Sequence, residues 1–107
     1  MVYLVRKEEK MRFDRHEKEA LKYALQDFKG EVFLFGSRLD DGKKGGDIDI
    51  MVIPDKMTNA LKLSLEIQKR FFFRCEQKLD VIVYNRDNPF CGEVIKNGQR
   101  IDIQAIE

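Results

Sequence analysis

Between positions 32 and 53, two apolar runs flank a polar, glycine-rich link. The first, Val32-Phe33-Leu34-Phe35, reads as a buried strand that stops at Gly36-Ser37; the second is Asp47-Ile48-Asp49-Ile50-Met51-Val52-Ile53. The link is too short to hold a crossover helix, so the two strands are expected to be antiparallel neighbours. In the second run aspartate and isoleucine alternate. Side chains two apart on a strand share a face. Ile48 and Ile50 are therefore expected in the core, with Asp47 and Asp49 together on the opposite face. Adjacent carboxylates repel unless a cation lies between them, and hard divalent ions such as Mg²⁺ take that oxygen-rich arrangement.

The rest of the chain supplies elements to build around this pair. Residues 14–28 read as a helix, with Asp14 as N-cap and Glu17 completing a capping box. Ala20, Leu21, Ala24, Leu25 and Phe28 form its apolar stripe, and Gly30 is placed to end it. Residues 58–77 read as a second helix. Leu61, Leu65, Gln68, Phe72 and Cys75 lie along one side, with Ala60, Ser64, Ile67 and Phe71 beside them. Phe71-Phe72-Phe73 is wider than one buried stripe needs, which leaves Phe73 either in a packed aromatic helix end or facing a partner. Residues 78–84 read as a third strand, 85–89 as a turn-rich link, 90–97 as a short helix stopped by Gly98, and 100–106 as an edge strand or extended tail. Residues 1–13 are open between an added strand, a partner contact and a frayed end. Helix-strand-strand-helix-strand-helix predicts an α/β (α+β) fold: a small mixed sheet with helices packed against it.

A chain of 107 residues is expected to form one domain over 1–107, with 1–13 as an extension. The formal net charge is +1, which argues against a basic coat for direct nucleic-acid binding. No apolar run approaches membrane-spanning length, and the N-terminal apolar segment is too short for a secretory signal. A cytoplasmic location is expected, with Cys75 and Cys91 as free thiols that lack zinc-site spacing.

Phe35-Gly36-Ser37, nine intervening residues and Asp47-Ile48-Asp49 together resemble the signature of the DNA polymerase beta-like nucleotidyltransferase superfamily. The short chain is most similar to the minimal nucleotidyltransferases of bacteria and archaea, over roughly residues 14–103. The resemblance implies the nucleotidyltransferase fold and transfer of a nucleoside monophosphate, AMP from ATP, to a hydroxyl acceptor. It implies that Asp47 and Asp49 bind two Mg²⁺ ions. It implies that Asp80, in Leu79-Asp80-Val81-Ile82-Val83, would be a third carboxylate helping to hold the ion that activates the attacking hydroxyl. Two such ions about 3.5–4 Å apart stabilise both attacking and leaving oxygens. Gly36, Ser37 and Arg38 would serve the triphosphate, through close backbone approach, a hydroxyl and a planar fork of donors.

The link departs from the commoner Gly-Ser-Arg-Ala-Arg-Gly form. Leu39-Asp40-Asp41-Gly42 replaces its last part, so a second phosphate-facing arginine is missing; Lys43 or Lys44 offers charge while Asp40 and Asp41 oppose it. Relatives of this size often occur as the antitoxin half of a pair with a helical HEPN-family ribonuclease toxin. The resemblance therefore implies a protein adenylyltransferase acting on such a partner within a homo- or hetero-oligomer. The alternative is a catalytically weak nucleotide-binding or antitoxin module that works by partner contact. His16, the single histidine, is read as a surface or packing residue, and Tyr84 and Arg86 as residues with structural roles at least as plausible as an approach to a base or acceptor.

Overall fold

In the computed structural model the described residues are 13–36 and 47–105. Their elements run α1 (Arg15–Ala24), β1 (Gly30–Phe35), β2 (Ile48–Pro54), α2 (Ala60–Arg74), β3 (Leu79–Val83), α3 (Pro89–Asn97) and β4 (Gln99–Ile101), closed by a 3₁₀ turn at Ile103–Ala105. The strands form one sheet in the order β3-β2-β1-β4. β1 pairs antiparallel with β2 and with β4, and β2 pairs parallel with β3. The α+β architecture and the mixed sheet expected from the sequence are the ones observed. Residues 1–12, where an extension was expected, lie outside the described residues, as do 37–46; Phe13 packs against the core.

The two faces of the sheet are covered by different helices. Ile48, Ile50 and Val52 of β2 join Val32, Leu34, Val81 and Ile101 beneath α1 and α2, against Leu21, Leu25, Ile67 and Phe71. On the other face Phe33 and Met51 meet Cys91 and Val94 of α3. The middle of β2 is thus buried on both sides, as a central strand of a covered sheet should be.

Helix starts follow the sequence closely. Asp14 accepts from the Glu17 N–H at 2.8 Å, and the Glu17 carboxylate accepts from the Asp14 N–H at 3.1 Å, completing the capping box. Asn59 caps α2 by accepting from the Lys62 N–H at 2.9 Å, and the helix begins at Ala60, two residues later than the expected start at 58. Asn88 caps α3, with Pro89 in the first turn where its missing N–H costs nothing.

Helix ends differ. α1 stops at Ala24, and a turn carries the chain through Leu25 to Phe28, which still packs on the core. Gly30 does not cap the helix; it opens β1 at φ +149°, where any Cβ would collide with the Ile53 carbonyl oxygen. Its role is to let β1 start tight against β2. The C-terminal strand is shorter than expected, three residues followed by the 3₁₀ turn.

α2 carries two apolar stripes, and the tertiary structure buries only one. Ile67 and Phe71 are buried and Leu63 and Cys75 pack beside them, whereas Leu61, Leu65, Phe72 and Phe73 are exposed. Gln68, in the middle of the exposed stripe, has a backbone task. The Val81 N–H donates to Gln68 Oε1 at 3.4 Å, and the Ser64 hydroxyl donates to the Val81 carbonyl at 2.9 Å. β3 is an edge strand, and these two side chains occupy its outward backbone groups at Val81, which blunts pairing with another chain there.

This division predicts opposite outcomes for adjacent phenylalanines. Phe71→Ala is expected to cost about 3–5 kcal/mol in urea unfolding by emptying a core site. Phe72→Ala is expected to stay within about 0.5 kcal/mol of the parent. Equal losses would show that both rings are buried.

Candidate functional site

β2 sets the site through its two neighbours. Asp49 pairs in register with Phe35 of β1 on one side and with Asp80 of β3 on the other. Because the pairing is direct, side chains of paired residues emerge on the same face. That face is the one carrying Phe33 and Met51 under α3. The helix covers Met51 completely but leaves Asp49 half-buried. Asp47, two residues before Asp49, immediately precedes β2; the Ile48 N–H donates to the Lys78 carbonyl at 3.0 Å, fixing this end of β2 against the start of β3. Asp80 is thus on the sheet face of Asp49, and Asp47 is close enough to both to share one lysine.

That lysine is Lys78, which the sequence reading placed in the third strand without a role. Its ammonium lies 3.9 Å from Asp47 Oδ2 and 3.9 Å from Asp80 Oδ1. The signal was available: residues 78 and 80 stand two apart at the start of a strand and so share a face. Burial raises the Asp49 carboxyl above the ordinary aspartate range. The charges of Asp80 and Asp47 and a side-chain hydrogen bond with Asp80 act in the same direction, and Lys78 opposes them. The cluster is crowded with negative charge, and one ammonium offsets part of it.

Gly36 closes β1 against this cluster. Its φ is +83°, and a Cβ placed there would stand 2.5 Å from Asp49 Oδ2. Glycine is required twice over, by backbone conformation and by the carboxylate next to it. Ser37 and Arg38, the other expected triphosphate residues, and the link with Asp40, Asp41, Lys43 and Lys44, lie outside the described residues. Tyr84 packs into the cluster beneath α3, and Arg86 and His16 lie exposed on the surface. Cys75 and Cys91 are free thiols.

Residues 19–104 match the family model described as polymerase beta, nucleotidyltransferase. The chain belongs to the polymerase beta nucleotidyltransferase family. A search of the curated proteins found no match. Membership in this nucleotidyltransferase family makes nucleotidyl transfer the general reaction class, and its members generally use divalent metals. Among the described residues, no three acidic, histidine or cysteine side chains are gathered into a ready-made metal cage, and no helix is long and apolar enough to cross a membrane. The chemistry of the donor set nonetheless fits a hard divalent ion: carboxylate oxygens on one face, with mutual repulsion that a bound cation would relieve.

The raised Asp49 carboxyl links this site to stability. The folded protein holds that proton to higher pH than the unfolded chain does. The resulting stabilisation is complete below the ordinary aspartate range and is lost as pH rises through the raised value. In metal-free buffer, Asp49→Asn is therefore expected to raise the urea midpoint at neutral pH, with the advantage fading as acid protonates the parent carboxyl. Lys78→Met is expected to shift the midpoint the other way, by no more than about 1 kcal/mol because the pairs are exposed. A neutral-pH midpoint unchanged by Asp49→Asn would mean that solvent screens the cluster fully.

Proposed function

We propose that this protein is a Mg²⁺-dependent nucleotidyltransferase that moves AMP from ATP to a hydroxyl on a partner protein, with a helical HEPN-family protein as the acceptor. The observation that supports the reading best is the register of β2, which sets Asp49 beside Asp80 on one face, next to Asp47 and to the Gly36 turn. Asp47 and Asp49 would hold the two ions with the triphosphate, and Asp80 would join them at the acceptor side. Bound Mg²⁺ would supply Lewis-acid stabilisation of charge on the phosphoryl oxygens.

The chain's own residues divide the work. The backbone at Gly36, unobstructed by a side chain, allows phosphate to approach closely, and Ser37 and Arg38 would add donors. Asp80 would take the proton of the acceptor hydroxyl as its oxygen bonds to the α-phosphorus. The bond from that phosphorus to the bridging oxygen of the β-phosphate breaks, and pyrophosphate leaves. Lys78, which touches both Asp47 and Asp80, would give up those contacts as the ions bind.

The exposed apolar side of α2, with Leu61, Leu65 and Phe72, favours a second reading alongside the first: a module that restrains its partner by contact, with little turnover. Labelled ATP, Mg²⁺ and a HEPN-family protein from a neighbouring gene separate the two. Label on the partner that disappears in Asp47→Asn and Asp49→Asn supports transfer. Partner inhibition that survives those substitutions, with no label in the parent, supports the contact module.

The carboxylates are expected to separate kinetically. Asp47→Asn and Asp49→Asn should lose both Mg²⁺–ATP binding and turnover. Asp80→Asn should keep nucleotide affinity within a few-fold while kcat falls by roughly 10²–10⁴, the usual range for a lost general base. Wild-type turnover by Asp80→Asn would remove it from the reaction.

A further inference from the structure

The candidate site has an aromatic corner that the carboxylates do not explain. Phe35 is the last residue of β1 and the direct cross-strand partner of Asp49. Directly paired residues in an antiparallel sheet have Cβ atoms about 4.5–5.5 Å apart, so the Phe35 ring begins at the edge of the acidic cluster. Phe90, in the first turn of α3, packs on it with ring centroids 5.5 Å apart and planes at 76°. Phe35 is half-buried, but Phe90 remains 49% exposed. In an edge-to-face pair only one ring presents a face to the other, so ring surface is left for a third flat partner.

The position is specific. The other exposed phenylalanines, Phe72 and Phe73, are on α2, across the sheet from Asp49, and Phe73 stands against Tyr23 of α1. Tyr84, which shares the α3 face, is packed into the cluster of Phe33 and Met51. Among the described residues, Phe90 is the strongly exposed aromatic that touches a direct neighbour of the carboxylates.

We propose that Phe90, backed by Phe35, is the stacking surface for the base of the nucleotide whose phosphates meet Asp47 and Asp49. The inference rests on the nucleotidyl-transfer reading and adds the base-binding group to it. An apolar ring offers no hydrogen bonds to a base edge, and every base has a π-face. The corner therefore distinguishes a nucleoside triphosphate from a bare polyphosphate and is tolerant among bases. Any choice of adenine would come from other groups.

Calorimetric titration with ATP and with inorganic tripolyphosphate, both with Mg²⁺, tests this on the intact chain. The parent is expected to bind ATP more tightly than tripolyphosphate. Phe90→Leu, which keeps apolar packing on Phe35 but removes the ring, is expected to weaken ATP binding roughly 10-fold or more and to leave tripolyphosphate within about twofold. Phe90→Tyr should restore ATP affinity, and NMR should show contacts between base protons and ring protons of residue 90. If Phe90→Leu binds ATP as the parent does, or loses both ligands equally, the stacking role is overturned and nucleotidyl transfer stands. If the folded parent binds neither ligand, the nucleotidyl-transfer reading falls and the stacking role falls with it.

Discussion

The burial of β2 between β1 and β3 is the constraint from which the rest of this molecule follows. Ile48, Ile50 and Val52 are fully buried on one face and Met51 on the other, so sliding the strand by one residue would drive Asp49 into the apolar layer beneath α1 and α2. A carboxylate in such a layer costs several kcal/mol or gives up its charge. The register is therefore fixed by apolar packing, and the same register delivers Asp49 next to Asp80. The acidic face results from the way the core closes and needs no separate ordering of a loop.

The acidic face works against the fold that builds it. Burial and two neighbouring carboxylates make ionisation of Asp49 less favourable than in an ordinary aspartate, and Gly36 gives up a side chain so that Asp49 has room. Lys78 offsets part of the repulsion from the start of β3, where the backbone bond from Ile48 already holds the two strands together. Stability sacrificed at a cluster of like charges is a common mark of a functional site. The local conflict between apolar packing and charge is confined to one end of the sheet.

α2 shows a second compromise. One stripe packs on the sheet through Ile67 and Phe71, while Ser64 and Gln68 bond the outward backbone of β3 at Val81. The helix thereby occupies the middle of an edge that would otherwise offer those hydrogen bonds to a passing strand. The cost is a side with Leu61, Leu65 and Phe72 left in water.

The sequence by itself determined the first three strands, the antiparallel link between the first two, the capping box at Asp14 and the shared side of Asp47 and Asp49. Each depends on local spacing: alternation by two, a cap three residues from its partner, a link too short for a helix. Asp80 was legible as a candidate because it interrupts an apolar strand, but its nearness to Asp49 was not, since it depends on parallel register between segments about thirty residues apart. Only the tertiary structure decided which stripe of α2 is buried: Leu61, Leu65 and Phe72 repeat as regularly as Ile67 and Phe71, and periodicity carries no information about which side meets the sheet. Only it showed Gly30 as a strand opener, since a turn glycine looks the same whether it ends a helix or clears a neighbouring carbonyl. The closeness of Phe90 to Phe35 likewise joins residues far apart in the chain, brought together by the packing of α3 across the sheet.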